Sequence, residues 1–288
     1  MEITPIPGVP GITLITQLKD AERELDTVKS GDAVQVFVQY FKWANRHAGV
    51  LGNYLVRQDL DQFVTTPRYW TLQGLIPLMN ASIGALPTST QINVNGLLHL
   101  EIDERKREMG QIIKEMEDRL NHWKKVDGAL FIADTNIYLH QEVEFQELDW
   151  ENITEAGGRG AHLVIPLLVL VELDRHKRIN GKVVSKTNNM PVRTRARMTL
   201  RYVNELFKET SESQVLKLAN PPFGPVTTSL LLDNPRHSPL PDPDSEFLDR
   251  TRALKDFIDR DVCVLTSDSS MAFRARAIGL KVKRLPDN

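Results

Sequence analysis

The chain has 288 residues, a formal net charge of -2 and one cysteine. That length allows one large domain or two of ordinary size, and the near-neutral balance names no partner by itself. Cys263 excludes a disulfide framework within the chain and, lying in an apolar run, reads as a buried structural thiol. The first residues lack the basic start and apolar core of a secretory signal. The longest apolar stretch, residues 163–171, is too short for a bilayer and contains Pro166. The expectation is a soluble, cytoplasmic protein with no membrane partner.

Up to about residue 125 the patterns are helical. Residues 13–28 and 33–60 are long stretches without proline, with Val34, Phe37, Val38, Phe41 and Ala44 at helical spacing. Thr65 to Pro67 marks a break. Residues 70–85 form another helix, kinked or restarted at Pro77, and residues 85–90 read as a loop. Residues 97–125 are the clearest helix, where Met109, Ile112, Ile113, Met116, Leu120 and Trp123 make one apolar stripe. Packing is the plain explanation of that stripe; pairing with a second copy of the chain is the alternative. Residues 1–125 show no metal-ligand spacing, phosphate loop or nucleophile constellation, so they read as a helical domain of unassigned role.

From residue 126 strands and helices alternate. Residues 129–134 are a short, continuously apolar strand, as in a buried parallel sheet. Residues 148–156 are helical and acidic, and 162–165 are a second strand. Pro166 suits the first position of a helix running to about His176. A helix over 193–210 is followed by strands at 214–218 and 226–232 around a proline-rich turn. A helix at 245–259, a strand at 262–266, a helix at 271–278 capped by Gly279, and a last strand from Val282 complete the chain. The alternation predicts a three-layer α/β domain with a mostly parallel central sheet.

Four acids stand at strand ends or helix starts. Asp134 follows the first strand, with Thr135 and Asn136 available to cap the next helix. Glu172 follows five apolar residues and is costly to bury unpaired; Arg175 and His176 are the plain partners and a metal is the alternative. Asp244 leaves a loop with three prolines and suits a helix N-cap, with Asp242 and Asp249 as competitors for any functional role. Asp268 ends the 262–266 strand behind Ser267. If the two terminal-acid strands are neighbours, Asp134 and Asp268 face one crevice. Clustered carboxylates raise one another's pKa or recruit a cation, and magnesium or manganese suits oxygen ligands. A zinc-type Cys/His cluster and a G-x-x-x-x-G-K-[ST] phosphate loop are both absent from the sequence.

This ordered set (Asp134-Thr135-Asn136, Glu172-Leu173, Asp244 with Phe247-Leu248, and Thr266-Ser267-Asp268 ahead of residues 272–279) resembles the PIN domain, a family of small metal-dependent nucleases. The resemblance covers about residues 127–288. It implies a PIN-like fold in which Asp134, Glu172, Asp244 and Asp268 bind Mg2+ or Mn2+, with Thr135, Asn136 and Ser267 as polar supports. It further implies an endonuclease acting on RNA, in which a metal-activated water attacks phosphorus and leaves a 5′-phosphate and a 3′-hydroxyl. The chain departs from compact family members in an enlarged segment around 179–235 and in residues 1–125.

Residues 175–208 hold ten basic residues against Glu205 alone. Arg175, Lys177, Arg178, Lys182, Lys186, Arg193, Arg195 and Arg197 are the candidate nucleic-acid contacts, since such a tract attracts phosphates and releases counterions. Two alternatives stand beside the ribonuclease: a PIN-like module that holds RNA or protein without cutting, and a structure-specific DNA nuclease.

Overall fold

The computed structural model describes residues 3, 5–29, 31–77, 88–141, 143–178, 190–209, 213–233 and 237–285. Two compact units divide the chain: Met1–Trp123 with Asp256–Ile258, and Lys124–Lys255 with Asp259–Asn288. Among the described residues, no helix is long and apolar enough to cross a membrane.

The first unit is helical. It contains α1 (Gly11–Val28), α2 (Ala33–Leu51), α3 (Arg57–Phe63), α4 (Pro67–Gln73) and nearly all of α5 (Thr88–Lys124). Asp32 starts α2 by accepting from the amides of Val34 and Gln35, while Gln35 returns a bond to the Asp32 amide, a complete capping box. The proline-free stretch 33–60 holds α2 and the start of α3. Gly52 ends α2, and Leu55 then pairs as an isolated bridge with Pro5 before α3 begins. The expected break at Thr65 to Pro67 separates α3 from α4; Pro67 occupies the first turn of α4, whose N-cap Thr66 accepts from the Tyr69 amide. The helix expected over 70–85, kinked or restarted at Pro77, is interrupted at Gly74 and is helical again at Ile76 and Pro77; its residues 78–85 lie outside the described residues. The expected loop at 85–90 yields from Thr88 onward to α5, whose stripe from Met109 to Trp123 is buried.

This unit also buries a charge network. Glu101 accepts from Thr66 Oγ1 at 2.8 Å, Tyr40 Oη at 3.3 Å and Arg68 Nη1 at 3.0 Å. Arg105 Nε lies 3.2 Å from the same carboxylate. Burial and the Glu101 charge together raise the Tyr40 hydroxyl pKa, burial contributing most.

The second unit is built on a six-stranded sheet: β1 (Ala129–Ala133), β2 (Ala161–Pro166), β3 (Gln214–Lys217), β4 (Val226–Leu231), β5 (Val262–Thr266) and β6 (Lys281–Arg284). Spatial order is β3-β4-β2-β1-β5-β6, and every pairing is parallel except β3 with β4. The connecting helices are α6 (Thr135–His140), α7 (Trp150–Thr154), α8 (Leu167–Arg178), α9 (Val192–Leu206), α10 (Pro243–Ile258) and α11 (Ser269–Ala277). β2 is buried at every position and β1 at all but its first, as in a sheet covered on both faces. Pro166 closes β2 instead of opening α8, and the helix expected over 148–156 shrinks to the five residues of α7 behind its Asp149 cap. The segment expected as an enlargement supplies α9 and two strands of the sheet, with β4 paired directly to β2.

The chain leaves β1 toward β2 and β4, then returns to lay β5 against the other side of β1. Sheet order therefore reverses between β1 and β5, and an open α/β sheet forms its crevice at the carboxyl ends of such strands.

Candidate active site

Asp134 is the first residue past β1 and the N-cap of α6. Its amide continues the sheet by donating to Leu265 O at 3.0 Å, which fixes Asp134 beside the end of β5. The carboxylate is buried, with 4 % of the residue exposed. Oδ1 accepts from the Ile137 amide at 3.2 Å and Oδ2 from the Thr266 hydroxyl. Burial pushes the Asp134 pKa up to about 6, with the Asp268 charge adding to the rise and the Thr266, Ile137 and Asn136 hydrogen bonds opposing it.

Asp268 follows β5 and caps α11 through the Ser270 amide at 2.6 Å. Thr266 ties the two strand-end acids together: its hydroxyl donates to Asp134 and accepts from the Asp268 amide at 3.0 Å. Thr266 is fully buried. The support expected from Ser267 thus belongs to Thr266; the Ser267 carbonyl accepts from Arg284 Nε at 3.3 Å. Asn136 contributes its amide, while the residue itself is exposed.

Glu172 lies within α8, half-buried, and accepts from the Thr135 hydroxyl. Thr135 is the first residue of α6, so this bond brings Glu172 to the residue beside Asp134.

The third acid sits at the start of α10. Asp242, not Asp244, carries the cap: its Oδ2 accepts from the Ser245 amide at 3.0 Å and also from the Ser245 hydroxyl. Asp244 occupies the first turn inside the helix. Arg274, from α11, donates through Nη2 to Asp242 Oδ2 at 2.8 Å and to Ser245 Oγ, and through Nη1 to Asp244 Oδ2 at 3.4 Å. The Ser245 hydroxyl and then the Arg274 guanidinium hold the Asp242 pKa down at about 2. Partial burial, then the charges of Asp242 and Asp268, raise that of Asp244 against the pull of Arg274. Asp249 is ion-paired with Arg250 at 2.6 Å.

Glu246 escaped the sequence reading. It is 2 % exposed and accepts from the Leu240 amide at 2.8 Å, with His237 Nε2 at 2.5 Å and Arg250 Nε 3.2 Å away. Those bonds pin the proline-rich loop that presents Asp242 and Asp244. An acid in the first turn of a helix, nine residues after a loop histidine, was the signal available. Arg274 carried none: nothing along the chain connects it to residues 242–245.

The basic tract divides into paired, buried and exposed side chains. Lys177 and Arg178 pair with Asp174, one turn earlier on α8, Lys177 at 2.6 Å. Arg195 faces inward: it is 2 % exposed and Nη2 donates to Gln141 O at 2.5 Å. Burial of its cation is the first cause of its lowered pKa. It is therefore a packing residue and leaves the list of nucleic-acid contacts. Arg193 and Arg197 are exposed one helical turn apart on α9, in line with Arg201, and Arg175 is exposed on α8. Lys182 and Lys186 lie outside the described residues.

The donor set fits a hard divalent cation by chemistry, being carboxylates and hydroxyls without sulfur or imidazole. As the side chains stand, each acid is turned onto a protein donor. Among the described residues, no three His, Cys, Asp or Glu side chains are gathered closely enough to hold an ion.

The chain matches the family model described as a PIN domain over residues 131–285. No curated protein matches it. A similar solved structure is described as a domain of a functionally unknown protein from Methanocaldococcus jannaschii DSM 2661, at 13 % identity and a TM-score of 0.33, with 55 % of this chain and 91 % of that chain covered.

Proposed function

The chain belongs to the PIN domain family through its C-terminal part, and from that premise we propose that it is a divalent-metal-dependent endoribonuclease of the cytoplasm. PIN domains are generally nucleases, usually use divalent metals and act on nucleic acids. The observation that carries the reading is the pair of strand-end acids at the β1/β5 switch point, Asp134 and Asp268, joined through Thr266. Asp134, Asp268, Asp244 and Glu172 would hold Mg2+ or Mn2+, Asp134 and Asp268 foremost.

When bound, the ion supplies charge stabilisation to the phosphoryl group and lowers the pKa of a coordinated water. The chain's own residues do the rest. Thr266 fixes the Asp134 rotamer by holding Oδ2, and the α6 amide of Ile137 fixes Oδ1. Thr135 orients Glu172. The exposed arginines Arg175, Arg193 and Arg197 would hold the phosphate backbone of the strand.

The test is incubation of the purified chain with Mn2+ and single-stranded RNA, single-stranded DNA or a DNA flap. Cleavage of RNA that disappears in Asp134→Asn supports the proposal. Preference for the flap makes it a structure-specific DNA nuclease. One observation favours a non-cleaving RNA- or protein-binding module: every acid already has a protein donor. Binding of RNA with no cleavage and no Mn2+-dependent stabilisation would select that module.

A further inference from the structure

We infer that Arg274 is the built-in counter-ion of the acid cluster, a positioning residue that competes with the divalent ion for Asp244 and so sets the affinity of the site. The inference rests on the metal-dependent reading above and adds a residue to it. Among the described residues, Arg274 is the one cation within ion-pair distance of any of the four site acids. The donors on the other three, Thr266, Thr135 and the Ser270 amide, carry no net charge.

Its grip is uneven. The contact to Asp242 is 2.8 Å and the contact to Asp244 is 3.4 Å. The shorter contact falls on the acid that also caps α10, so Asp242 is committed to the protein twice over. Asp244 is held by the longer contact alone among the charged groups, and it feels the charge of Asp268. A fork-shaped guanidinium can therefore release Asp244 while Asp242 keeps it in place. This asymmetry assigns the third ligand position to Asp244 and removes Asp242 from the competition. It also gives the cluster a cation that offsets carboxylate repulsion before an ion enters.

Mn2+ binding to the full chain, read by isothermal titration or by the spin resonance of free Mn2+ in the absence of nucleic acid, tests this without reference to turnover. Arg274→Gln is expected to bind Mn2+ about two- to fivefold more tightly, the scale of a partly exposed ion pair, and Arg274→Lys, a point charge without the fork, to fall between. In an Asp244→Asn background the gain from Arg274→Gln should vanish, because the competition runs through that carboxylate. Circular dichroism checks that each variant is folded. Unchanged or weaker Mn2+ binding by folded Arg274→Gln overturns the inference and leaves the metal reading intact. An equal gain in the Asp244→Asn background overturns it too, since bulk charge alone would then explain the effect. A folded wild-type chain that binds no Mn2+ removes both.

Discussion

Glu101 in the helical unit and Asp134 in the sheet unit are both almost wholly buried, at 1 % and 4 % exposed, yet their surroundings differ in kind. Glu101 meets two guanidinium groups and two hydroxyls. Asp134 meets one hydroxyl and backbone amides, and its nearest charged influence is another acid. A buried carboxylate with a full set of cations is part of the scaffold, and removing one partner leaves the rest uncompensated. A buried carboxylate without a cation carries an electrostatic cost that a metal ion can relieve, which is the usual signature of a site that does chemistry.

The contrast breaks most visibly by substitution. Asp134→Asn should reduce Mn2+-supported cleavage by at least about 100-fold, the scale of losing one preorganised electrostatic group at a reaction centre; retention of wild-type rates would sink the nuclease proposal. Glu101→Gln should do the reverse, lowering stability by about 1–3 kcal/mol in urea unfolding, because Arg68 and Arg105 lose their shared acid while each keeps a second one, Glu104 and Glu108. A loss below about 1 kcal/mol would show that the network is not load-sharing in this way.

Asp134 also gives stability a pH dependence. The folded pKa of Asp134, about 6, lies above its ordinary value of 3.8. The folded chain therefore binds this proton more tightly than the unfolded chain. Its contribution is intact below about pH 4 and is lost as pH rises to about 6, a cost of order 3 kcal/mol above that point. Asp134→Asn should consequently unfold at higher urea concentration than the wild type at pH 7.5, and the gap should close by pH 4. Mn2+ binding by the wild type should weaken as pH falls through about 6, because ligation needs the carboxylate. A pH-independent gap would mean that Asp134 is ionised in the folded chain at little cost.

The smallest effect concerns the arginines. Replacing Arg193, Arg197 and Arg201 together by Gln should reduce the slope of log affinity for single-stranded RNA against log salt by about 2, measured in EDTA. Arg195→Met should leave that slope unchanged and alter stability instead, since its guanidinium is spent on Gln141. Equal slopes for the triple variant and the wild type would remove α9 from the binding surface.

Most of the sheet was legible along the chain because buried parallel strands are short continuous apolar runs. β1 and β5 stood out on that ground, each followed by an acid that also caps a helix. Helix ends were less legible. After the break at Gly52, Leu55 bridges Pro5, fifty residues away, and no local periodicity encodes such a pairing. The side chains around the acids were harder still. Thr266 and Ser267 are equivalent polar candidates in sequence, and only strand pairing turns the Thr266 hydroxyl onto Asp134. Arg193, Arg195 and Arg197 look alike in a basic run, but helix geometry sends the middle one inward.

Local pattern by itself determined the division into helical and alternating regions, the apolar strands and the identity of the acids, because each depends on residues within a turn or a strand of one another. The tertiary structure alone decided which acid caps α10, which cation faces the acids and which arginines reach solvent. Those outcomes depend on distances between segments such as 242–245 and Arg274, and electrostatic partnership is set by proximity in space, where burial and charge act, regardless of separation along the chain.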